Sequence, residues 1–449
     1  MEIAELYKIF KQHPTITTDS RDCPEGSIFF ALKGASFDGN KFAAAALEKG
    51  CVYAVVDEKV YVPEGDTRYI LVDDCLAALQ QLARYHRRAL ATPIVGITGT
   101  NGKTTTKELT ASVLSKRYNV LYTQGNFNND IGVPKTLLRL RPEHDIAVVE
   151  MGASHPGDIR TLVNIVEPDY ALITNVGRAH LQGFGSFEGV VRTKGELYDY
   201  MREAAEGKRG EQRPLRHSRC VFIDNENPHL NAIASGLNLV RYSVTVHDGM
   251  QVSASNVKSD PMLCFTWQSG TPSAGCHHIA THLIGAYNIT NMLAAIAIGT
   301  YFDVAPSDID DALAAYVPSN NRSQFEQTTD NRLIVDAYNA NPTSMAASLN
   351  NFKNIDAANK MVIIGDMKEL GEVSHDEHQK IVDQLQDMAL DAVWLVGSEF
   401  KHTTTPDSFR KFENVEEVKA ALQTAKLNGK YILIKGSNGT RLFELPKLL

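Results

Sequence analysis

The feature that most constrains this chain is a glycine-containing loop between an apolar run and a helix-forming segment, at residues 94–109. The run Ile94–Thr98 leads into Gly99-Thr100-Asn101-Gly102-Lys103-Thr104-Thr105, and good helix formers follow. Glycines let successive backbone N–H groups point at an anion, and the helix N-terminus adds partial positive charge. Lys103 can then reach a terminal phosphate, and Thr104 can ligate a Mg²⁺ carried by the nucleotide. The loop therefore predicts binding of a nucleoside triphosphate.

This loop is shorter than the common phosphate-binding pattern, because Ile97 stands where that pattern has its first glycine. Read as a bare string, Gly99-x-x-Gly102-Lys103-Thr104 is also compatible with an ordinary glycine-rich turn. The predicted strand before it and the predicted helix after it favour the phosphate-binding interpretation.

Length and composition predict a soluble protein of about three domains. The 449 residues exceed what one core organises, and 43% of them are apolar. Acids occupy the first residues, Met1–Leu6, and no uncharged apolar run reaches about 18 residues, so we expect a cytoplasmic protein without membrane insertion. The six cysteines are scattered, which favours reduced thiols. A net charge of −8 argues against nucleic acid as a partner.

Residues 1–90 alternate helical and strand patterns and predict a small α/β domain. Two polar clusters flank its first predicted strand, one at residues 18–21 with Ser20 and Arg21, and one at residues 33–39 with Lys33 and Gly34. Their composition is first of all typical of turns.

Residues 91–317 alternate short apolar strands with helices, as a doubly wound parallel sheet requires. Glu150 ends one predicted strand and His180 follows another, so both lie at the sheet edge where ligands bind, beside Thr104. Alone, such a glutamate is commonly a cap and such a histidine structural; together with the threonine they predict a Mg²⁺ site. Lys194 falls in a helical pattern, and its spacing favours an ordinary surface lysine.

Two groups of amides suit polar ligands. Asn126, Asn128 and Asn129 lie within four residues and fit either a polar ligand or a plain helix-capping loop. Asn288 and Asn291 are three residues apart, which predicts a shared helix face that could bond an adenine edge.

Residues 318–449 restart the strand and helix alternation without a phosphate loop. Two of the predicted strands end in acids, Asp336 and Asp366. The stretch 318–322 is typical of a linker and predicts a hinge.

These motifs resemble the Mur ligases of bacterial cell-wall synthesis over essentially the whole chain. Several members of that family share the phosphate loop. The combination of Asn126–Pro134, Asp336–Pro342 and Gly365–Gly371 is instead highly specific for one branch of the family. The resemblance implies an α/β fold of three domains, in which a central P-loop, parallel-sheet ATPase domain is flanked by a small α/β N-terminal domain and a Rossmann-like C-terminal domain. The N-terminal domain, expected at residues 1–90, would bind the UDP-sugar substrate, and the central domain, at 91–317, would bind ATP. The C-terminal domain, at 318–449, would bind the dipeptide and part of the nucleotide.

The resemblance also implies a reaction. ATP phosphorylates the carboxylate of UDP-N-acetylmuramoyl-tripeptide, and the amine of D-alanyl-D-alanine then displaces phosphate, in an enzyme expected to be a monomer. A folylpolyglutamate-like or other Mur-type amino-acid ligase remains an alternative, although Gly102-Lys103-Thr104-Thr105 differs from the Gly-Lys-Gly-Ser of the folate enzymes. A non-catalytic nucleotide-binding regulatory module is the other alternative.

The resemblance implies roles for single residues by their match to family motifs. Lys103 is expected to stabilise the transferring phosphoryl group, and Lys194 matches a lysine that the family carries in carbamylated form. One position departs from the family, because Asn321 precedes Arg322 where the family commonly has a glycine. The departure weakens the expectation that Arg322 contacts a phosphate of ATP. The expected ligands of two Mg²⁺ ions are Thr104, Glu150, His180 and Lys194; the ATP contacts are Gly99, Thr100, Asn101, Gly102, Lys103, Thr104, Thr105, Asn288, Asn291, Arg322 and Asp336; the substrate contacts are Ser20, Arg21, Lys33, Gly34, Asn126, Asn128, Asn129, Tyr338, Asn339 and Asn341.

Overall fold

Three separate mainly parallel sheets, each with its own helices, follow one another along the chain. The computed structural model describes residues 1–209, 214–270, 275–318 and 322–449. This arrangement confirms the predicted α/β class. Within those ranges, no helix combines the length and the apolar character needed to cross a membrane.

The first sheet is parallel, with the order β1-β2-β5-β6, and a short β3-β4 hairpin stands beside it. The hairpin contains Lys33 and Gly34, so the segment 33–39, which its composition predicts as a turn, forms a hairpin of two short strands. The Asp74 carboxylate accepts the Ala77 N–H at 2.7 Å and so begins the long helix α3, which packs on the next part of the chain. The elements are α1 (Ile3–Gln12), β1 (Ile16–Thr17), β2 (Ile28–Phe30), β3 (Lys33–Gly34), β4 (Phe37–Asp38), α2 (Ala43–Glu48), β5 (Tyr53–Val56), β6 (Tyr69–Leu71) and α3 (Cys75–Leu90).

The second sheet carries the phosphate loop on an interior strand, β7. Its order is β15-β14-β13-β12-β11-β10-β7-β9-β8, parallel from β8 to β13 and extended by the antiparallel strands β14 and β15. The elements are β7 (Ile94–Thr98), α4 (Lys103–Leu114), β8 (Val120–Tyr122), α5 (Gly132–Leu137), β9 (Ile146–Glu150), α6 (Asp158–Val166), β10 (Tyr170–Ile173), α7 (Leu181–Phe184), α8 (Phe187–Ala205), β11 (Cys220–Asp224), α9 (Pro228–Ala232), β12 (Leu239–Ser243), β13 (Val252–Ser259), β14 (Met262–Ser269), β15 (Cys276–Ile284), α10 (Ile289–Tyr301) and α11 (Pro306–Ala315).

Strand β7 suits an interior position because every one of its residues is apolar or small and all are buried. It pairs with β9 on one side and β10 on the other, so the ends of these three strands meet at one edge. The loop after β7, Glu150 at the end of β9, and the segment after β10 are therefore neighbours.

The third sheet has the order β16-β17-β21-β18-β19-β20, parallel except for the antiparallel edge strand β16. Of the predicted hinge, residues 319–321 lie outside the described ranges. The elements are β16 (Gln324–Gln327), β17 (Arg332–Asp336), α12 (Pro342–Asn354), β18 (Lys360–Gly365), α13 (Ser374–Gln386), β19 (Ala392–Val396), α14 (Ser398–Lys401), β20 (Arg410–Phe412), α15 (Val415–Thr424) and β21 (Tyr431–Lys435).

Candidate active site

The phosphate loop has the backbone that its glycines predict. Gly99 has φ +145° and Gly102 has φ +76°, values that side chains with a Cβ rarely adopt. A Cβ on Gly99 would lie 2.0 Å from Oγ1 of Thr174, and one on Gly102 would lie 2.4 Å from Oδ1 of Asn291. Both positions therefore require glycine, and helix α4 begins directly after the second one.

A cleft of about 860 Å³ lies between the second and third sheets and collects most of the predicted site residues. Further wall residues, such as Thr343, Glu369 and Lys435, come from the third sheet and its connections. The predicted residues in its wall are Thr100, Asn101, Gly102, Lys103, Thr104, Thr105, Asn126, Asn128, Asn129, Glu150, His180, Asn288, Asn291, Arg322, Asp336, Tyr338 and Asn339. Gly99, Lys194, Asn341 and the four N-terminal residues Ser20, Arg21, Lys33 and Gly34 are not in that wall.

Glu150 is held by one of its two carboxylate oxygens. Its Oε1 accepts the Thr104 hydroxyl at 3.2 Å and the Asn128 amide N–H at 2.8 Å. Its Oε2 is buried and has no hydrogen-bond partner among the described residues. A buried carboxylate oxygen without a donor is costly unless a cation or another donor satisfies it, and carboxylate oxygen is a preferred ligand of Mg²⁺.

Few other protein side chains could share a cation with Glu150. The described ranges hold no group of three or more His, Cys, Asp or Glu side chains arranged for a metal ion. A Mg²⁺ ion at Glu150 would thus rely on the Thr104 hydroxyl and on His180, as the family motif implies, with further ligands from the nucleotide. The free Oε2 and the neighbouring hydroxyl fit that expectation.

His180 lies at the start of α7 with φ +49° and is about a quarter exposed. Its Nδ1 contacts Oε2 of Glu369, which comes from the loop after β18 in the third sheet. Burial lowers the pKa of His180, while the Glu369 carboxylate opposes that shift. The neutral imidazole is therefore favoured near pH 7.

Two lysines of the site have a pKa below the ordinary value. Nζ of Lys103 donates to the carbonyl oxygens of Gly99 at 2.9 Å and Thr100 at 3.0 Å, and burial lowers the pKa of Lys103 to about 8. Lys194, on α8, is 2% exposed, and its Nζ lies 5.6 Å from the ring centroid of Phe184. Burial, and then the charge of Lys103, lower the pKa of Lys194 well below its ordinary value. The surface-lysine interpretation of Lys194 is wrong.

The predicted adenine contacts lie together, though not on a single α-helical face. Asn288 ends a 3-10 turn and Asn291 lies in α10, and Nδ2 of Asn291 donates to Oδ1 of Asn288 at 2.8 Å. The Thr106 hydroxyl donates to Oδ1 of Asn291 at 3.0 Å, and Nδ2 of Asn288 donates to the Ile284 carbonyl. Each amide nitrogen still has a second N–H to offer a ligand.

The substrate contacts expected in the third sheet, Tyr338, Asn339 and Asn341, have different positions in the structure. Tyr338 and Asn339 line the cleft, and the guanidinium of Arg322 stacks on the Tyr338 ring at 4.1 Å. Asn341 instead caps α12 by accepting the Ser344 N–H, and its Nδ2 donates to Oδ1 of Asn101 at 2.8 Å. Asn341 therefore links the third sheet to the phosphate loop.

The two charged N-terminal candidates are paired with acids of the N-terminal region. Arg21 is paired with Asp19 at 2.8 Å, and Nζ of Lys33 lies 2.8 Å from Asp57 and 2.9 Å from Glu58. The structure does not bring these residues, or Ser20 and Gly34, to the cleft.

Glu369 is one of the cleft residues that sequence reasoning missed. That reasoning identified Gly365–Gly371 as a family motif but assigned no role to Glu369. The available signal was a carboxylate in the loop after a buried strand, at the sheet edge where ligands bind.

Comparisons with known proteins agree with this geometry. Models of the Mur ligase family catalytic domain, the Mur ligase middle domain, and the Mur ligase glutamate ligase domain match residues 14–87, 97–299 and 321–438. A Bacillus subtilis (strain 168) protein named UDP-N-acetylmuramoyl-tripeptide--D-alanyl-D-alanine ligase is 34% identical over 442 residues, covering 96% of this chain and 92% of that protein.

Solved structures give the same picture. MurF from Acinetobacter baumannii has a TM-score of 0.82 at 31% identity, with 96% of this chain and 92% of that one covered. The MurF ligase of Thermotoga maritima in complex with ADP also has a TM-score of 0.82, at 25% identity, with 97% and 96% covered. Since the three models together match most of its length and nearly full-length relatives exceed 30% identity, the chain belongs to the Mur ligase family.

Proposed function

We propose that this protein is an ATP-dependent ligase that adds D-alanyl-D-alanine to UDP-N-acetylmuramoyl-tripeptide in peptidoglycan precursor synthesis. The observation that carries the proposal is one cleft that joins a phosphate loop, a buried carboxylate with a free oxygen, and polar residues of the third sheet. The names of relatives from Bacillus subtilis and other bacteria support the choice of substrates.

The chemistry explains why a phosphate loop serves amide formation. A carboxylate is a poor electrophile until one oxygen becomes a leaving group. Transfer of the γ-phosphoryl group of ATP to the tripeptide carboxylate gives an acyl phosphate and ADP, and the dipeptide amine then forms the amide and releases phosphate. Lys103 is placed at the loop to offset negative charge on the transferring group. The positive φ at Gly102 aims the start of α4 at the same place.

We further propose that Thr104, Glu150 and His180 hold Mg²⁺, and that a carbamylated Lys194 contributes to a second ion. When bound, the metal ions offset charge on the phosphate oxygens. Burial beside Lys103 favours the neutral amine of Lys194, and an amine in that form reacts with CO₂ to give a carbamate and a proton. The carbamate has two oxygens in place of an ammonium group, which suits a site beside cations.

The remaining parts of the proposal concern which domain binds each part of the substrates, and the location and oligomeric state of the protein. Residues 1–90, with Ser20, Arg21, Lys33 and Gly34, would bind the nucleotide-sugar end. Residues 91–317 would bind ATP, and residues 318–449 would bind the dipeptide and part of the nucleotide, with Asp336 on the ribose. We propose a cytoplasmic monomer.

The direct test is an assay of the purified protein with ATP, Mg²⁺, D-alanyl-D-alanine and a UDP-linked tripeptide ending in lysine or in diaminopimelate. We expect phosphate release that requires both peptide substrates, together with a product that mass spectrometry identifies as the UDP-linked pentapeptide. Folate with glutamate serves as the substrate control for a folylpolyglutamate ligase. Phosphate release that ignores both peptides, or nucleotide binding without turnover, would contradict the proposal.

A further inference from the structure

The loop after β18, residues 366–373, is anchored at its start and reaches into the cleft. The buried Asp366 carboxylate accepts the Phe400 N–H at 3.2 Å, and the Met367 N–H donates to Nε2 of His378 at 3.0 Å. The Lys368 N–H donates to the Ser437 hydroxyl at 3.2 Å. Leu370 is 3% exposed and packs in the core of the third sheet. Residues on both sides of Glu369 are therefore fixed to the third sheet.

Glu369 itself has a backbone conformation that side chains rarely adopt. Its φ is +63°, in the left-handed region, which costs free energy for a residue other than glycine, asparagine or aspartate. Its carbonyl accepts the Gln182 N–H at 3.2 Å, and its carboxylate contacts Nδ1 of His180. The residue with the unfavourable backbone conformation therefore makes two contacts, one through its carbonyl and one through its carboxylate, with the segment that carries His180.

The same segment is held at a second point from the third sheet. The Arg178 N–H donates to the Thr343 hydroxyl at 3.0 Å, and the Arg178 guanidinium donates to the Glu377 carboxylate at 2.9 Å. Contacts on both sides of His180 come from residues far along the chain. The position of the imidazole therefore depends on how the third sheet meets the second.

We propose that Glu369 is a positioning residue that holds the His180 ring through Nδ1 and makes its orientation depend on docking of the third sheet. A carboxylate at Nδ1 keeps the proton on that nitrogen, so Nε2 remains free to accept a bond or to ligate a cation. Glu369 acts through the imidazole and need not touch either substrate. This inference rests on the proposed function for its kinetic consequence, although the tautomer itself can be measured without turnover.

An ordinary ion pair between the sheets is the competing explanation. Such a pair would add stability and leave the histidine tautomer and kcat untouched. The Glu369 side chain is 59% exposed, so a stabilising role alone would be small. The two explanations therefore differ in what removal of the carboxylate changes.

The first test uses the full-length protein labelled with ¹⁵N-histidine. The His180 imidazole signal is assigned by its loss in His180→Gln. We expect the Nδ1-protonated tautomer in the wild type, a shift towards a mixture of tautomers in Glu369→Ala, and no change in Glu372→Ala, which removes an exposed carboxylate from the same loop. A wild-type Nε2-protonated ring, or an unchanged signal in Glu369→Ala, would overturn the inference.

The second test separates kcat from KM in the ligase assay. Loss of a group that orients a metal-binding histidine typically costs 10- to 100-fold, so we expect kcat of Glu369→Ala to fall by about that factor. KM for the UDP-linked tripeptide and the melting temperature should stay close to wild type, and Glu369→Gln should recover part of kcat because an amide oxygen can accept a hydrogen bond from Nδ1. Equal kcat in Glu369→Ala and Glu372→Ala would overturn the inference. An inactive wild type would instead contradict the proposed function and leave the tautomer test intact.

Discussion

Replacement of Glu150 by glutamine should separate the catalytic role of this side chain from its role in the fold. The two side chains have the same shape, and Oε1 of glutamine can still accept from Thr104 and Asn128. Its NH₂ group must then occupy the place of the unpartnered Oε2. The change therefore presents N–H donors where a cation requires an oxygen with negative charge.

The expected magnitudes follow from burial. Glu150 is 1% exposed, and the variant removes the cost of burying a charge, whereas its NH₂ group keeps the cost of an unpaired buried polar group, about 1–3 kcal/mol. The variant also loses the attraction between Glu150 and Lys103, so the two effects oppose each other and the free energy of unfolding should change by no more than about 2 kcal/mol. For the binding of a cation, no gain offsets the loss of the negative charge of Glu150. A unit charge pair about 4 Å apart near a protein surface is worth about 4 kcal/mol, or roughly a thousandfold in rate.

The assay pairs thermal unfolding without nucleotide with phosphate release at varied Mg²⁺. The matched control is Glu143→Gln, which changes an exposed glutamate on the turn that precedes β9. We expect Glu150→Gln to melt close to wild type, to lose about three orders of magnitude in kcat, and to require more Mg²⁺, while the control behaves as wild type. A variant that unfolds readily, or one that keeps its Mg²⁺-dependent turnover, would refute the reasoning.

Four further predictions concern other groups. Lys103→Ala should keep the fold and abolish ligation, because it removes the charge that meets the transferring phosphoryl group; near-normal turnover would contradict this. Lys194→Ala should lose most activity and regain part of it with acetate, and a bare lysine in the mass or density of active, metal-loaded enzyme would disprove carbamylation. ATP and peptide substrate together should compact the protein in solution scattering, since a nucleotide that contacts both the phosphate loop and Asp336 in one cleft would favour this arrangement over a more open one; unchanged scattering counts against closure. Burial raises the pKa of Asp224 to about 7 from 3.8, so its folded form keeps a proton that the unfolded chain loses, and stability should fall as pH rises across that window. Asp224→Asn should remove this dependence, which unfolding at pH 5 and pH 8 would reveal.

The strands and the carboxylates at their ends could be predicted from the sequence because both signals are local. An apolar run such as β9 is buried as a whole, and the polar residue that ends it, Glu150, must lie at the sheet edge. The glycines of the phosphate loop give an equally local signal. Asp336 follows the same logic at the end of β17.

Side-chain partners across the cleft could not be predicted, because they depend on how two sheets meet. The hydrogen bond from Asn341 to Asn101 joins residues 240 positions apart, and no spacing rule reaches that far. Spacing also favoured the surface for Lys194, since a lysine in an amphipathic helix is usually solvated. Its burial follows from the packing of α8 against α6 and β10, which the pattern of α8 alone does not contain.

Lys103 and Lys194 show how two lysines that influence each other can favour different charge states. Lys103 keeps a pKa near 8, so most molecules carry its charge at neutral pH, and a bound phosphate would stabilise that form further. The same charge is the second cause, after burial, of the much stronger lowering at Lys194. The cation that a phosphoryl group requires therefore helps to keep the neighbouring amine neutral, and a neutral amine is the form that can become an anionic carbamate. Both properties depend on the exclusion of water, which at Lys194 comes from the packing of α8 against α6 and β10.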